Sequence, residues 1–130
     1  MPLVPTRPRR IQTLEDAFQL FAGLAVGRQE AIGVAFLCPQ RTILGLRHAW
    51  GREDRVTMPI ARITRDVLLL AARAVLIAHN HPDGDARPSA ADLAMTRRLS
   101  QGLAALDVAL LDHLIVTRAG IVSLREQGLV

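Results

Sequence analysis

The sequence predicts an α/β fold: a single three-layer α-β-α domain built on a mixed β-sheet. Three observations carry that expectation. Apolar residues recur at helical spacing over 14–25, then switch to a strand-like pattern from Ala31. The run Ala74-Val75-Leu76-Ile77-Ala78 is short and uniformly apolar, as expected of a central strand covered on both faces. And 130 residues are enough to bury one core.

Taken in order, residues 1–10 carry Arg7, Arg9 and Arg10 and read as a flexible basic arm, with the domain proper over 11–130. Thr13 is a suitable N-cap with Asp16 three residues on. Leu14, Ala17, Phe18, Phe21, Ala22 and Ala25 then form one helical face, and Gly27 is a reasonable stop. Ala31 to Cys38 and Thr42 to Ala49 read as a hairpin around Pro39-Gln40. Residues 50–54 are a polar loop, and Pro59 suits the first turn of a second helix. In that helix Ile60, Ile63, Val67, Leu70 and Ala71 face inward, while Asp66 falls off the stripe and is expected in solvent. Ser89 opens a third helix with Leu93, Thr96, Leu99 and Leu103 inward. Val108 to Val116 and Ile121 to Leu124 are closing strands, giving the order α-β-β-α-β-α-β-β.

Composition narrows the function classes. A hydrophobic fraction of 50% with 22% charged residues is that of a folded domain rather than a disordered chain. No apolar run approaches the ~20 residues that span a bilayer, and the Pro- and Arg-rich start lacks the apolar stretch of a secretory signal. A cytoplasmic location and no membrane partner are therefore expected. Cys38 is the only cysteine, which excludes an internal disulfide and a thiolate-rich zinc site. The net charge is +4, but the arginines are scattered and three Phe and one Trp offer little for base stacking. Weak or no nucleic-acid binding is the expectation.

The chemistry concentrates in His79-Asn80-His81-Pro82, followed by Ser89 and Asp92. On a strand, side chains repeat every second residue, so His79 and His81 point the same way and Asn80 the other. Two imidazoles with a carboxylate returning on the next helix can supply the three protein ligands of a catalytic zinc ion, Zn2+. A water at such a site loses its proton near pH ~7. A general base must take that proton, and a donor must meet the developing oxyanion. Ser89 suits the second task; Glu15, Glu30 and Glu53 are the rivals for the first. The plainer reading of Ser89-Ala90-Ala91-Asp92 is a helix-capping pattern that needs no metal, and the two readings are compatible.

The spacing His-x-His-Pro, six residues, Ser, two residues, Asp resembles the signature of the JAMM (MPN+) metallohydrolase domains. More closely, Ala78 to Asp85 with Pro88-Ser89, Asp92 and Thr96 looks like the RadC family, as do Leu111-Asp112-His113-Leu114-Ile115-Val116 and Ser123. The resemblance covers roughly residues 28–130. It implies a JAMM/MPN fold of cytidine-deaminase-like layering, with His79, His81 and Asp92 as zinc ligands. It also implies that Glu30 is the general base, and that an amide or isopeptide bond of a peptide or protein substrate is hydrolysed.

Departures from the family pattern are Asp83, where serine is frequent, and Pro59-Ile60-Ala61, where Pro-Arg-Glu is frequent. The stretch ahead of Glu30 is too short for the helix-hairpin-helix-like region of longer RadC proteins. Two other readings are a DNA-associated accessory protein, from the family's repair label, and a non-catalytic metal-binding interaction module. Asp112 and His113 are adjacent, so only one of them can face the site; both read as polar strand residues, in a supporting role at most. His48 reads as structural or exposed. Oligomeric state is left open by the sequence.

Overall fold

The structure is a computed structural model that describes residues 3–4, 9–50 and 60–130. Its elements are β1 (Leu3–Val4), α1 (Leu14–Phe21) continued by a 3-10 turn (Ala22–Val26), β2 (Ala31–Leu37), β3 (Ile43–Trp50), α2 (Ile60–Leu70), β4 (Ala74–Asn80), α3 (Ala90–Ala104), β5 (Ala109–Thr117) and β6 (Gly120–Ser123). The strands form one sheet in the order β1-β3-β2-β4-β5-β6. All neighbours are antiparallel except β4 and β5, which run parallel and are joined through α3. The sheet is therefore mixed, as expected. Of the polar loop expected over 50–54, Trp50 instead ends β3, and residues 51–54, like Pro59, lie outside the described residues.

Side-chain alternation sorts the core into two layers. Ile32, Val34 and Phe36 of β2 with Val75 and Ile77 of β4 pack under Ile63 and Val67 of α2 and Leu99 and Leu103 of α3. Ala35, Leu37, Leu76 and Ala78 take the opposite face, with Leu114 and Val116, under Ala17 and Phe21 of α1. Helix α1 has eight residues, too few to stand alone. Thr13 and Asp16 form the expected capping box, which contributes about 1 kcal/mol. Burying Phe21 contributes about 1.5–3 kcal/mol more, so docking decides whether this helix forms. The Phe21 ring packs closely enough against β2 to need Gly33, where a Cβ would sit 2.6 Å from Cε1.

Three expectations change. Leu3–Val4 and Arg10, read as part of a free arm, are tied to the sheet: Leu3 pairs with Arg47, Val4 with Leu46, and Arg10 bridges Thr42. An otherwise open edge of β3 supplies the partners, which a reading of charge alone cannot see. Asp66, expected in solvent, is 1% exposed and paired with Arg47 of β3, with Arg47 Nη2 donating to Oδ1 at 2.8 Å. Arg47 points from β3 toward α2, so the pair closes the layer at that point. Ala71, expected on the inward stripe, lies beyond the end of α2 in the left-handed region (φ 51°) and is exposed.

Candidate metal centre

The site forms where β4 ends and α3 begins. His79, whose parity follows Val75 and Ile77, faces the α3 side of the sheet, and His81 follows it. Asp92 sits in the first turn of α3. Its position is set by a capping box: Ser89 Oγ accepts from Asp92 N at 3.0 Å, and Asp92 Oδ2 accepts from Ser89 N at 2.8 Å. His79 Nε2 lies 2.7 Å from His81 Nε2. Asp92 Oδ1 is 3.5 Å from His79 Nε2, and Oδ2 is 3.2 Å from His81 Nε2. The three ligand atoms thus lie within 4.8 Å of one another. Two imidazole nitrogens and a carboxylate oxygen are a donor set that zinc accepts, so these residues are compatible with the ion expected from the sequence.

The surroundings orient the ligands. His81 Nδ1 is 2.6 Å from the carbonyl of Asp85, which can only accept, so in the neutral ring the hydrogen sits on Nδ1 and the lone pair on Nε2. The intervening turn is built for that return. Gly84 adopts φ 85°, its amide donates to His81 O, and Asp83 Oδ1 accepts from Asp85 N. Asp83, the departure from the family pattern, is therefore a turn-forming residue. Hydrogen bonds from Arg87 hold the Asp85 carboxyl down at about 2. The Asp92 hydrogen bond raises His81 above its ordinary value, against the effect of burial. Burial pushes Asp92 up, but hydrogen bonds that both histidines donate when protonated, together with the one from the Ser89 amide, outweigh it and hold the carboxyl well below the usual range.

Glu30 lies one residue before β2. Antiparallel pairing sets Ile32 opposite His79, and extending that register sets Glu30 opposite His81. Glu30, His81, Ser89 and Asp92 line one open cleft of about 770 Å³, with Arg28 and Arg87 on its walls. All five residues singled out by the sequence thus meet at one place: four line the cleft, and His79 lies behind them against His81. The rivals separate: Glu15 is on α1, outside the cleft lining, and Glu53 lies outside the described residues.

Two neighbours were not foreseen as working parts. Asn80 turns away from the histidines, as alternation requires. There its side chain accepts from Ala31 N at 2.7 Å and donates to Leu24 O at 3.2 Å and Gln29 O at 3.0 Å. It therefore grips the chain on both sides of Glu30. His113, 1% exposed, faces His79, with Nε2 2.6 Å from His79 Nδ1 and Nδ1 2.6 Å from Thr96 Oγ1. Burial pushes His113 down to about 3, with the nearby His79 adding to the shift. Asp112 faces the other way and accepts from Ser123 Oγ and the Arg125 amide, which anchors the chain after β6. His48 is half-buried near Gly33, where burial lowers its pKa.

Among known proteins, the RadC-like JAB domain family matches residues 11–129. A UPF0758 protein of Acidithiobacillus ferrooxidans is 45% identical over 101 residues, covering 77% of this chain and 45% of that protein. A UPF0758 protein of Methylibium petroleiphilum is 38% identical over 119 residues, 91% of this chain and 53% of its own length. One from Bordetella avium is 50% identical over 80 residues, 62% of this chain and 36% of that protein. The chain thus spans about half the length, or less, of these curated relatives. Among the described residues, no helix is long and apolar enough to cross a membrane.

Proposed function

The chain belongs to the RadC-like JAB domain family, and from that premise we propose that it is a zinc-dependent hydrolase of the JAMM type, acting on an amide or isopeptide carbonyl. The observation that carries the reading is the convergence of His79, His81 and Asp92 beside Glu30 in one cleft. His79 Nε2, His81 Nε2 and an Asp92 oxygen would hold the ion. A bound zinc ion supplies Lewis acidity there, lowering the pKa of a water and polarising a carbonyl.

The chain's own groups do the rest. Glu30, on the cleft wall opposite His81, accepts the proton of the attacking water and returns it to the leaving nitrogen. Ser89 Oγ already accepts from the Asp92 amide, so its hydroxyl hydrogen is available to the oxyanion as the carbonyl is attacked. Arg87 is paired with Asp85, which leaves Arg28 on the cleft wall to meet a carbonyl oxygen of a peptide segment. The substrate class on this reading is a peptide or an isopeptide-linked protein.

The test has two stages. Protein purified without chelators is analysed for zinc, and His79→Ala is compared with wild type by zinc titration. Stoichiometric zinc that is lost in His79→Ala is expected; no zinc, or unaltered binding in the variant, overturns the metal reading. Turnover is then sought on a peptide and isopeptide library, where Glu30→Gln should retain zinc and lose activity. A Glu30→Gln protein as active as wild type removes Glu30 from the mechanism.

A further inference from the structure

Behind the cleft, a buried chain of hydrogen bonds runs from the backbone of α3 to the first ligand. It starts at the carbonyl of Asp92, which accepts the Thr96 hydroxyl at 2.7 Å. A hydroxyl has a single hydrogen, so Thr96 Oγ1 can meet His113 Nδ1, 2.6 Å away, only as an acceptor. His113 Nδ1 therefore carries a hydrogen. The ring is 1% exposed, the carboxylate of Asp112 lies on the opposite face of β5, and the two ring nitrogens meet Thr96 and His79 rather than a carboxylate, so burial favours the form with a single ring hydrogen. With one hydrogen spent on Nδ1, His113 Nε2 is an acceptor. It sits 2.6 Å from His79 Nδ1, which must then carry a hydrogen, so the neutral ring of His79 presents its lone pair on Nε2.

We propose that Thr96 and His113 are positioning residues that fix the tautomer of His79, so that its Nε2 is committed to the metal before the ion arrives. The inference rests on the metal reading above and deepens it. Each hydrogen bond in the series has only one orientation once the Asp92 carbonyl sets the first. Asp92 and Thr96 are one turn apart on α3, so the helix that supplies the carboxylate ligand also directs the imidazole ligand. His113 reaches this face because of a bulge: Val75 pairs with Leu110 but Leu76 with Asp112, so Leu111 is an extra residue in β5. Without that insertion the parity of β5 would turn His113 toward α1. The arrangement does for His79 what the Asp85 carbonyl does for His81, with a side chain as the acceptor in place of a backbone oxygen.

Two measurements test this. Long-range proton–nitrogen correlation spectra of the metal-free wild-type protein report the tautomer of each histidine directly. Both His79 and His113 are expected as the Nδ1–H form; an Nε2–H form at either ring overturns the inference, and no variant is needed. Zinc affinity is then measured by competition with a chromophoric chelator. Thr96→Val and His113→Ala are expected to weaken zinc roughly 10- to 100-fold, the range seen when groups that orient metal ligands are removed. Thr96→Ser, which restores the hydroxyl, is expected to bind as wild type does. Thr96→Val binding zinc as tightly as wild type, or Thr96→Ser failing with it, overturns the proposal. If wild type binds no zinc, the metal reading fails and this proposal fails with it. Wild-type binding with unaffected variants sinks only the positioning role.

Discussion

Replacing Asn80 with alanine should separate the two faces of β4. The amide is 1% exposed and makes three hydrogen bonds to main-chain atoms of the segment that carries Glu30. Removing it strands the Ala31 N–H, which is buried at the start of β2, at about 2 kcal/mol. The Gln29 and Leu24 carbonyls belong to exposed and half-buried residues, where water can reach them, and add about 0.5 kcal/mol each. The sum, about 3 kcal/mol, corresponds to a fall in Tm of about 10 °C for a chain of this size. Urea titration of the metal-free protein measures the stability loss. Zinc titration of the same variant should give the wild-type affinity, because His79 and His81 point to the other side of the strand. Asn80→Asp keeps an acceptor for Ala31 but sets a carboxylate against two carbonyls, so it should not rescue. A loss below about 1 kcal/mol, or zinc affinity falling in step with stability, would refute the assignment of Asn80 to the Glu30 segment alone.

Asp66→Ala leaves the Arg47 guanidinium, 10% exposed, without its partner, and should cost about 3–5 kcal/mol by urea denaturation. The double variant Arg47→Met/Asp66→Leu should recover most of that loss; equal damage in both would show that the charges themselves are not responsible. Gly33→Ala puts a methyl group 2.6 Å from the Phe21 ring and should lower stability by about 1–3 kcal/mol, with partial rescue by Phe21→Leu. An unchanged Tm would mean that α1 shifts freely on the sheet. For pH, the Asp92 hydrogen bond raises His81 above 6.5 in the metal-free protein. Its contribution to metal-free stability is therefore present below the unfolded value and lost as pH rises through the folded one. Zinc needs the deprotonated ring, so the gap in Tm between zinc-loaded and chelator-treated protein should widen from about pH 6 to about pH 8. A gap that narrows over that range contradicts the assignment of His81 as a ligand.

Much of the site was legible because its parts follow local periods. The two-residue repeat of a strand aims His79 and His81 together, and Ser89-x-x-Asp92 is a capping pattern that any helix start displays. What stayed hidden depends on partners distant in sequence. Asp66 lies off the apolar stripe of α2, and only the presence of Arg47 across on β3 explains its burial. The alternation rule separates Asp112 from His113 but cannot say which of them faces α3, because a bulge at Leu111 resets the parity. Leu3–Val4 takes its order from an edge strand that it could not define by itself. Alternation turns Asn80 away from the two histidines, yet its work lies on the face it turns toward. A signal was available there: a polar amide within a fully buried strand must find partners.

The capping and metal readings of Ser89 and Asp92 are one arrangement. A carboxylate at the third position of a helix is normally held by the N-cap amide, and here Asp92 Oδ2 takes that bond from Ser89 while its oxygens stay within 3.5 Å of both histidine Nε2 atoms. The cap thus removes rotamer freedom that an isolated ligand would lose on binding an ion. The same logic governs β4. One strand end directs two imidazoles toward α3 and one amide toward the segment bearing Glu30, so the ligands and the base are referenced to the same few backbone atoms. Displacing that strand end would move His79, His81 and the Glu30 segment together, which preserves their separation. On the proposed hydrolase reading, a site that must keep a water between an ion and a carboxylate gains more from that shared reference than from tight packing around either group alone.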